Sequence, residues 1–267
     1  MKKMEAVIFD WAGTMIDYGC FAPLEVFLEI FRNRGVEITV DEARQPMGML
    51  KIEHIRTLCD MPRIRKEWVK VHTAAPTEQD VIEMNNDFEK ILFTILPDYT
   101  APIPGAIELV ERLRRRGIKI GSTTGYTKAM MEVVMPKAKE KGYSPDCCFT
   151  ADDVKAGRPY PWMCYQNAME LNVYPMSKMI KVGDTVTDMK EGKNAGMWTV
   201  GVILGSSELG LSEEEVIQMN EKELEERIEI VRSRLLEAGA DFTIDRISDL
   251  DKVIDMLEQN RDEIGEN

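Results

Sequence analysis

The stretch that most constrains the fold covers residues 5–14, where an apolar run ends in an acid and a turn. Four apolar residues, 6–9, lead directly into Asp10, and Gly13 and Thr14 follow. A short continuous apolar run bounded by a turn signal is typical of a strand buried on both faces of a parallel sheet. Open parallel sheets bind ligands beyond the carboxyl ends of their strands. Asp10 is therefore either a ligand-binding or catalytic acid, or simply the N-cap of a following helix.

Beyond residue 100, strand patterns alternate with helix patterns. Further strands are predicted to begin near Ile118, Cys147, Met179, Trp198 and Asp241. Apolar residues between them recur at helical spacing, and a single charged helix is predicted from about Ser212. Strands that alternate with helices pair in parallel through right-handed crossovers. The sequence therefore predicts an α/β fold.

The segment 20–99 has a different pattern, which is helical throughout. Thr39 followed by Glu42 predicts a capping box for a short helix. Further helices are predicted over about Gly48–Asp60 and after Thr77. Because the segment contains no good strand signal, we expect a small helical bundle inserted directly after the first strand.

The chain length allows this division into two parts. With 267 residues the chain can form a core and a smaller second domain. We predict an α/β core domain of residues 1–19 and 100–267, and a helical domain of residues 20–99.

Charge and cysteine content narrow the classes of function and location. The formal net charge is −13, from 34 basic and 47 acidic residues, which argues against nucleic acid or an anionic membrane as partner. No apolar run approaches the length of a membrane span, and the start of the chain is too short and too acidic for a signal peptide. Five cysteines without a Cys-x-x-Cys pair predict reduced thiols and a cytoplasmic protein.

Five polar residues follow predicted strand ends in a fixed order. Asp10 ends the first strand, Thr124 ends the second, and Arg158 precedes a helix in Gly-Arg-Pro. Asp184 ends a later strand, and Asp188 comes four residues after it. Each match alone is common in turns and solvated loops. Their joint occurrence at one edge of a parallel sheet predicts an active site.

This set of motifs resembles the haloacid dehalogenase (HAD) superfamily, most of whose members transfer phosphoryl groups. The resemblance implies that Asp10 is the nucleophile, and that Asp10, Asp184 and the backbone carbonyl of Ala12 bind Mg²⁺. A hard divalent cation suits this chemistry because a carboxylate that attacks an anionic phosphorus centre needs charge neutralisation. The resemblance further implies that Thr124 binds a substrate oxygen, and that Arg158 supplies fixed positive charge.

The same resemblance extends to the architecture. It implies a Rossmann-like HAD core with a parallel sheet, and a helical cap domain inserted after the first strand. It also places Asp188 behind the metal ligands as a supporting acid.

Ala12 departs from the usual HAD pattern, in which a second Asp stands two residues after the nucleophile. That Asp protonates an oxygen leaving group, which Ala12 cannot do. A catalytically silent phosphate-binding or regulatory protein is one reading, and a leaving group other than oxygen is another. Lys51 and His54 favour the second, because they are neighbours on a mostly apolar helix face. An amine among apolar groups has a lowered pKa and can form a Schiff base.

Together these features resemble the phosphonoacetaldehyde hydrolases, a family within the HAD superfamily. The resemblance is carried by residues 10–14, 47–52, 121–126, 157–163 and 181–185. It implies hydrolysis of the P–C bond of phosphonoacetaldehyde, with Lys51 forming the Schiff base, Asp10 forming an aspartyl phosphate, and His54 as a candidate for proton transfer. Cys20 and Tyr126 are expected to line the substrate pocket. A homodimer joined through the cap is also implied.

An ordinary HAD phosphomonoesterase or phosphomutase, acting on a small phosphate ester, is the alternative enzyme. It would use the same residues at the strand ends, but Ala12 speaks against it because an oxygen leaving group needs an acid.

Overall fold

Six parallel strands form one sheet at the centre of the structure, a computed structural model that describes residues 3–47 and 49–263. The strands are β1 (Ala6–Phe9), β2 (Lys119–Thr124), β3 (Cys147–Thr150), β4 (Met179–Gly183), β5 (Trp198–Val202) and β6 (Phe242–Ile244). Their order is β3-β2-β1-β4-β5-β6, and every neighbouring pair is parallel. The predicted α/β fold is therefore confirmed.

The register of the three central strands brings the predicted site residues to one edge. Phe9 pairs with Ser122 of β2 on one side and with Val182 of β4 on the other. Asp10 thus follows β1 at the level where β2 and β4 also end. The carboxyl ends of adjacent parallel strands form a ligand-binding crevice of the kind expected for open α/β sheets.

Helices cover both faces of the sheet. They are α6 (Ala106–Arg115), α7 (Lys128–Glu140), α8 (Trp162–Glu170), α9 (Val186–Ala195), α10 (Glu213–Gln218), α11 (Glu221–Glu237) and α12 (Leu250–Glu263). The prediction of one long helix from Ser212 was wrong, since α10 ends before Met219 and α11 begins anew. The Asn220 side chain accepts a hydrogen bond from the Lys222 amide and thereby caps α11.

Five helices occupy the stretch between β1 and α6. They are α1 (Phe21–Arg32), α2 (Val40–Arg44), α3 (Lys51–Asp60), α4 (Pro62–His72) and α5 (Glu78–Ile95). The described residues of this stretch contain no named strand. A capping box at Thr39 starts α2, as predicted from the sequence. Helix α5 begins after Thr77, also as predicted, and the structure adds a capping box there that was not predicted. The division into a core domain and a cap domain, with its boundaries, stays a prediction.

Two details of this helical segment differ from expectation. The helix predicted from about Gly48 begins at Lys51, with Leu50 as its N-cap, and Gly48 itself lies outside the described residues. Helix α4 was missed because its sequence is dominated by charge. Only Ile64 and Trp68, four residues apart, are buried on its inner face.

Two chain crossings connect the helical segment to the sheet, and they lie side by side. Ile16 forms a bridge with Pro102, and the Ile103 amide donates to the Met15 carbonyl at 2.9 Å. The Asp17 carboxylate then accepts hydrogen bonds from the first amides of α1 at 3.0 and 3.1 Å. Because these amides have no partner within the helix, Asp17 fixes the direction in which α1 leaves the sheet.

The apolar core continues from the sheet into the helical segment. Phe9 of β1, Phe27 of α1 and Phe88 of α5 are fully buried in the same cluster. Trp11, directly after the nucleophile candidate, is also fully buried and donates from Nε1 to Ser122 Oγ at 2.8 Å. This packing fixes the loop that follows β1. None of the helices in the described part of the chain is long and apolar enough to cross a membrane.

Candidate active site

A pocket opens where β1, β2 and β4 end, and it is covered by the helical segment. Eight of the residues singled out in the sequence line it: Asp10, Ala12, Cys20, Lys51, Thr124, Tyr126, Arg158 and Asp184. The other lining residues include Pro23, Met47, Met49, Thr185 and Ser207, which sequence reasoning did not select. Asp188 and His54 do not line the pocket in the described structure.

Asp10 is held rigidly at the end of β1. Its amide donates to the Val182 carbonyl at 2.9 Å, which continues the pairing with β4. Its Oδ1 accepts from Arg158 Nη2 at 2.6 Å. Burial raises the pKa of Asp10 above its usual value, and the positive charge of Arg158 opposes that rise. The arginine therefore stabilises the anionic form, which is the nucleophilic one.

The loop after Asp10 needs a glycine at its turn. Gly13 has φ +83°, a left-handed conformation, and a Cβ at this position would collide with the Asp184 carboxylate. The glycine thus allows the loop and Asp184 to approach each other closely. This explains the Gly-Thr signal that ends the first motif.

Arg158 is the centre of a buried charge network. Its Nη1 lies 3.1 Å from Asp188 Oδ1, and its Nε lies 3.0 Å from Glu191 Oε2. Burial by itself lowers the pKa of Arg158, but Asp10, Asp188 and Glu191 together raise it well above its usual value. Each of the three guanidinium nitrogens is paired with a carboxylate, so the orientation of Arg158 toward Asp10 is fixed.

Lys181 and Glu191 extend this network, and neither was predicted from the sequence. Lys181 Nζ lies 2.8 Å from Asp188 Oδ1 and 3.3 Å from Glu191 Oε2, and it donates to Thr123 Oγ1 at 2.8 Å. Both Lys181 and Glu191 are fully buried. A signal was present, since a lysine inside an apolar strand requires buried acidic partners. Asp188 and Glu191, three apart on α9, supply them.

Asp184 is oriented by the loop after β5. Its Oδ2 accepts from the Ser207 amide at 2.8 Å and from Ser207 Oγ at 2.7 Å, and its Oδ1 lies 3.3 Å from Thr14 Oγ1. Ser207 is far along the chain from the nearest predicted site residue, Asp188, so no local pattern could have identified it. Because both Ser207 donors bind Oδ2, the Oδ1 atom of Asp184 has only the long contact with Thr14 among the described residues.

Three carboxylates converge closely enough to bind a metal ion. One oxygen each of Asp10, Asp184 and Asp188 lies within 4.8 Å of the others. Counting Glu191, four buried carboxylates face two buried cations, Arg158 and Lys181, which leaves two negative charges unbalanced.

The pKa values of two of these carboxyls report the same imbalance. Burial raises the pKa of Asp184 well above its usual value, and the nearby charges of Asp10 and Asp188 raise it further. The pKa of Asp10 is raised as well, chiefly by burial. A divalent cation among these oxygens would remove the imbalance, so the residues present fit a metal site.

Lys51 enters the pocket from the opposite side, under different electrostatics. Its Nζ lies 5.8 Å from the centre of the Phe27 ring and 5.6 Å from that of Tyr126. Within the described residues it forms no salt bridge. Burial lowers the pKa of the Lys51 amine, although the charge of Asp10 opposes the change. Lys51 is also the first residue of α3, where the helix dipole disfavours a positive charge.

His54 lies behind Lys51, away from the pocket. It is fully buried, its ring stacks on Phe27 with centroids 3.7 Å apart, and its Nε2 lies 2.8 Å from the Ala43 carbonyl. Burial lowers the pKa of His54 well below its usual value. The ring is therefore neutral, with Nε2 as donor. Its role in proton transfer stays a prediction, since the ring does not face the cavity.

The remaining predicted pocket residues are packed around the two reactive groups. Thr124 Oγ1 accepts from the Tyr126 amide at 3.0 Å, which fixes the turn after β2. Cys20 precedes α1 in a left-handed conformation, with φ 54°. Burial raises the pKa of the Cys20 thiol well above its usual value, so the side chain is a neutral thiol at neutral pH.

Comparison with known proteins places this site in a family. Residues 4–196 match the model of haloacid dehalogenase-like hydrolases. A phosphonoacetaldehyde hydrolase of Bacillus cereus strain G9842 is 65% identical over 257 residues, covering 96% of this chain and 97% of the relative. That of Bacillus thuringiensis subsp. konkukian strain 97-27 is 64% identical with the same coverage.

Solved structures agree on the fold. A phosphonoacetaldehyde hydrolase-like protein from Oleispira antarctica superimposes with a TM-score of 0.92 at 40% identity, over 96% of this chain and 93% of that one. A β-phosphoglucomutase from Clostridium difficile, at 19% identity and a TM-score of 0.67 over 96% and 98% of the two chains, shares the fold. The chain therefore belongs to the haloacid dehalogenase-like hydrolases and, within them, to the phosphonoacetaldehyde hydrolase family.

Proposed function

We propose that this protein hydrolyses the P–C bond of phosphonoacetaldehyde to give acetaldehyde and phosphate. The observation that carries the proposal is that an amine with a lowered pKa and an arginine-held carboxylate line the same pocket. Full-length relatives at 65% identity that are named for this reaction support it. Each of the two groups answers one requirement of the chemistry.

Lys51 activates the substrate. Its uncharged amine adds to the aldehyde carbon to give a carbinolamine, which takes up one proton and loses water to give a protonated imine. The environment favours the amine form because burial and the helix N-terminus both disfavour the ammonium. The rings of Phe27 and Tyr126 lie near enough to stabilise the imine cation once it forms.

Asp10 then attacks phosphorus. A carboxylate oxygen forms a bond to phosphorus while the P–C bond breaks, and its electron pair moves into the imine to give a neutral enamine on Lys51. No proton donor is needed for the leaving carbon at this point, which accounts for Ala12 in place of an acid. Arg158 holds the attacking carboxylate and balances charge on the phosphonyl oxygens.

Two hydrolyses complete the cycle. Protonation of the enamine carbon restores an imine, and water releases acetaldehyde and free Lys51. A second water cleaves the aspartyl phosphate at Asp10 and releases phosphate. Thr124, which lines the pocket beside Asp10, is positioned to donate to a phosphonyl oxygen.

We propose Mg²⁺ as the metal of this site, with Asp10, Asp184 and the Ala12 carbonyl as ligands and Asp188 behind them. Hard oxygen ligands and a buried surplus of two negative charges match this ion. When bound, it neutralises charge between the nucleophile and the phosphonyl oxygens. The residues themselves hold the acids in place through Ser207, Arg158 and Lys181.

The test combines product detection with trapping of the imine. Incubation with phosphonoacetaldehyde and Mg²⁺ should give acetaldehyde and phosphate in equal amounts. Borohydride added during turnover should leave a reduced adduct on Lys51, detected by peptide mass spectrometry. Turnover without any adduct at Lys51 would overturn the imine step, whereas release of phosphate from sugar phosphates alone would favour the phosphomonoesterase alternative.

The proposed assembly is a homodimer joined through the helical segment, with α1 as the candidate contact. This rests on the family resemblance, and the oligomeric state in solution would test it. The location in the cytoplasm likewise stays a prediction from the sequence. All five cysteines are free thiols in the structure.

A further inference from the structure

Arg44, the last residue of α2, spans the junction between the helical segment and the sheet edge. Its Nη1 donates to the Gly19 carbonyl at 2.9 Å and to the Ser207 carbonyl at 3.1 Å. Gly19 belongs to the crossing that leads into α1, and Ser207 belongs to the loop after β5. One nitrogen thus ties together three separate parts of the chain, and the mechanism above makes no use of it.

Ser207 continues this connection into the active site. Its carbonyl accepts from Arg44, while its amide and hydroxyl both donate to Asp184 Oδ2 at 2.8 and 2.7 Å. A shift of Ser207 would therefore move both donors that orient Asp184. Arg44 of the helical segment thus contacts Ser207, and Ser207 contacts the Asp184 carboxylate.

The Arg44 guanidinium fits tightly into its position. Its centre lies 5.1 Å from the centre of the Phe21 ring, and a Cβ at Gly210 would come within 2.8 Å of its Nε. Its Nε and Nη2 are buried and have no hydrogen-bond partner in the described structure. Backbone carbonyls rather than carboxylates hold this cation, so the geometry of those two carbonyls determines whether Arg44 can remain there.

We propose that Arg44 is a positioning residue that couples the seating of the helical segment to the orientation of Asp184. When the helical segment packs against the sheet edge, as in this structure, Lys51 lines the pocket together with Asp10. In the same arrangement, Arg44 fixes the loop that contains Ser207. When the segment lifts, both carbonyl bonds break and the loop that orients Asp184 loosens. The coupling presents the acid correctly only while the amine is in place. The inference rests on the proposed role of Asp184 as a metal ligand.

The test compares Arg44→Met with Arg44→Lys, and uses Arg65→Met as the matched control. Arg65 belongs to the same helical segment, but it lies at the surface, with its Nη1 3.4 Å from Asp60 Oδ1. Amide hydrogen exchange of residues 205–210 is measured without metal or substrate. Mg²⁺ affinity is measured by calorimetry without substrate, and imine trapping at Lys51 by borohydride.

Loss of the charged hydrogen bonds in Arg44→Met should speed exchange in residues 205–210 and weaken Mg²⁺ binding, each by about tenfold. Arg44→Lys should show a smaller change in the same direction, because one ammonium on a shorter side chain does not reach both carbonyls equally well. The control should stay within about twofold of the parent, since exposed ion pairs contribute little. Trapping at Lys51 should persist in all three variants.

Exchange and Mg²⁺ affinity unchanged in Arg44→Met would overturn the coupling, as would full parental behaviour of Arg44→Lys. If the Met variant does not fold, the Lys variant carries the same comparison. Failure of imine trapping in the parent protein would count against the proposed function and leave the exchange result for Arg44 standing on its own.

Discussion

The two sides of the pocket handle charge in opposite ways. At the sheet edge, Asp10 and Asp188 are buried but paired with Arg158, and Lys181 adds a second cation. On the helical side, the Lys51 amine faces two aromatic rings, with no salt bridge among the described residues. Pairing preserves ionised groups, whereas isolation among apolar groups favours the uncharged form.

This difference matches the two chemical tasks. The nucleophile must be an anion, so its site surrounds it with fixed positive charge. The amine must lose its proton before it can add to an aldehyde, so its site withholds counter-ions. A network of paired charges and a set of apolar groups therefore line the same cavity. Substitutions on the two sides should change different measured properties of the protein.

The largest expected effects separate the two sides directly. Lys51→Arg places a permanent cation at this position that cannot form an imine, and Asp10→Asn keeps the shape but cannot attack phosphorus. Each should lower kcat by roughly 10⁴-fold or more, as the loss of a covalent catalyst does. Borohydride trapping should distinguish them, because Asp10→Asn should still form the adduct at Lys51 and Lys51→Arg should form none. An active Arg variant would reduce Lys51 to an electrostatic role.

Lys181→Met tests the paired side through stability. Removing one member of a buried ion network leaves Asp188 and Glu191 with fewer partners, which should cost about 3–5 kcal/mol of unfolding free energy. The surface pair Lys70–Glu67 provides the control, since Lys70→Met should cost less than about 1 kcal/mol. Urea denaturation monitored by circular dichroism measures both. Equal costs for the two variants would contradict the description of a buried network.

Phe27→Leu tests the apolar side through the pH dependence of kcat/KM. The ring favours the protonated amine by about 0.5–1 kcal/mol, so its removal should lower the pKa of Lys51. The rising limb of the profile should then move to lower pH by about 0.4–0.7 units, at 1.36 kcal/mol per unit. Phe88→Leu is the control, because it removes a similar volume from the same packed cluster. The Phe88 ring centroid lies 4.6 Å from that of Phe27. A pH shift of equal size in both variants would point to packing rather than to the cation–π interaction of the Phe27 ring.

A further prediction concerns Asp17, where the two sides join, and it affects stability rather than turnover. Burial raises its pKa from 3.8 to about 7, although the Ala22 and Phe21 amides oppose the rise. The folded protein therefore holds a proton that the unfolded chain loses between these values, and stability should fall as pH rises through that window. Asp17→Asn should have a shallower slope between pH 4.5 and 7.5 in urea titrations. An unchanged slope would show that other groups dominate.

Much of the fold could be predicted from residue patterns, because the position of each strand and helix depends largely on local sequence. Apolar runs that end in turn signals located the strands, and the capping box at Thr39 located the start of α2. Helix α4 escaped detection because two buried residues in a charged stretch give too weak a periodicity. The break between α10 and α11 depends on a single capping side chain at Asn220.

The site shows the same limit more sharply. The pocket brings together motif residues that are up to 174 positions apart, and their order along the chain was enough to nominate them. His54 illustrates the opposite case, because helical spacing placed it beside Lys51 but could not show which way its ring faces.

The sequence by itself determined the strand ends, the acids and arginine placed on them, and the missing acid at Ala12, because these depend on residue type and order along the chain. Only the tertiary structure decided what surrounds each group: Glu191 beneath Arg158, Ser207 against Asp184, and aromatic rings around Lys51. The physical reason is that charge state depends on burial and on neighbours across space, and neither is encoded in local pattern.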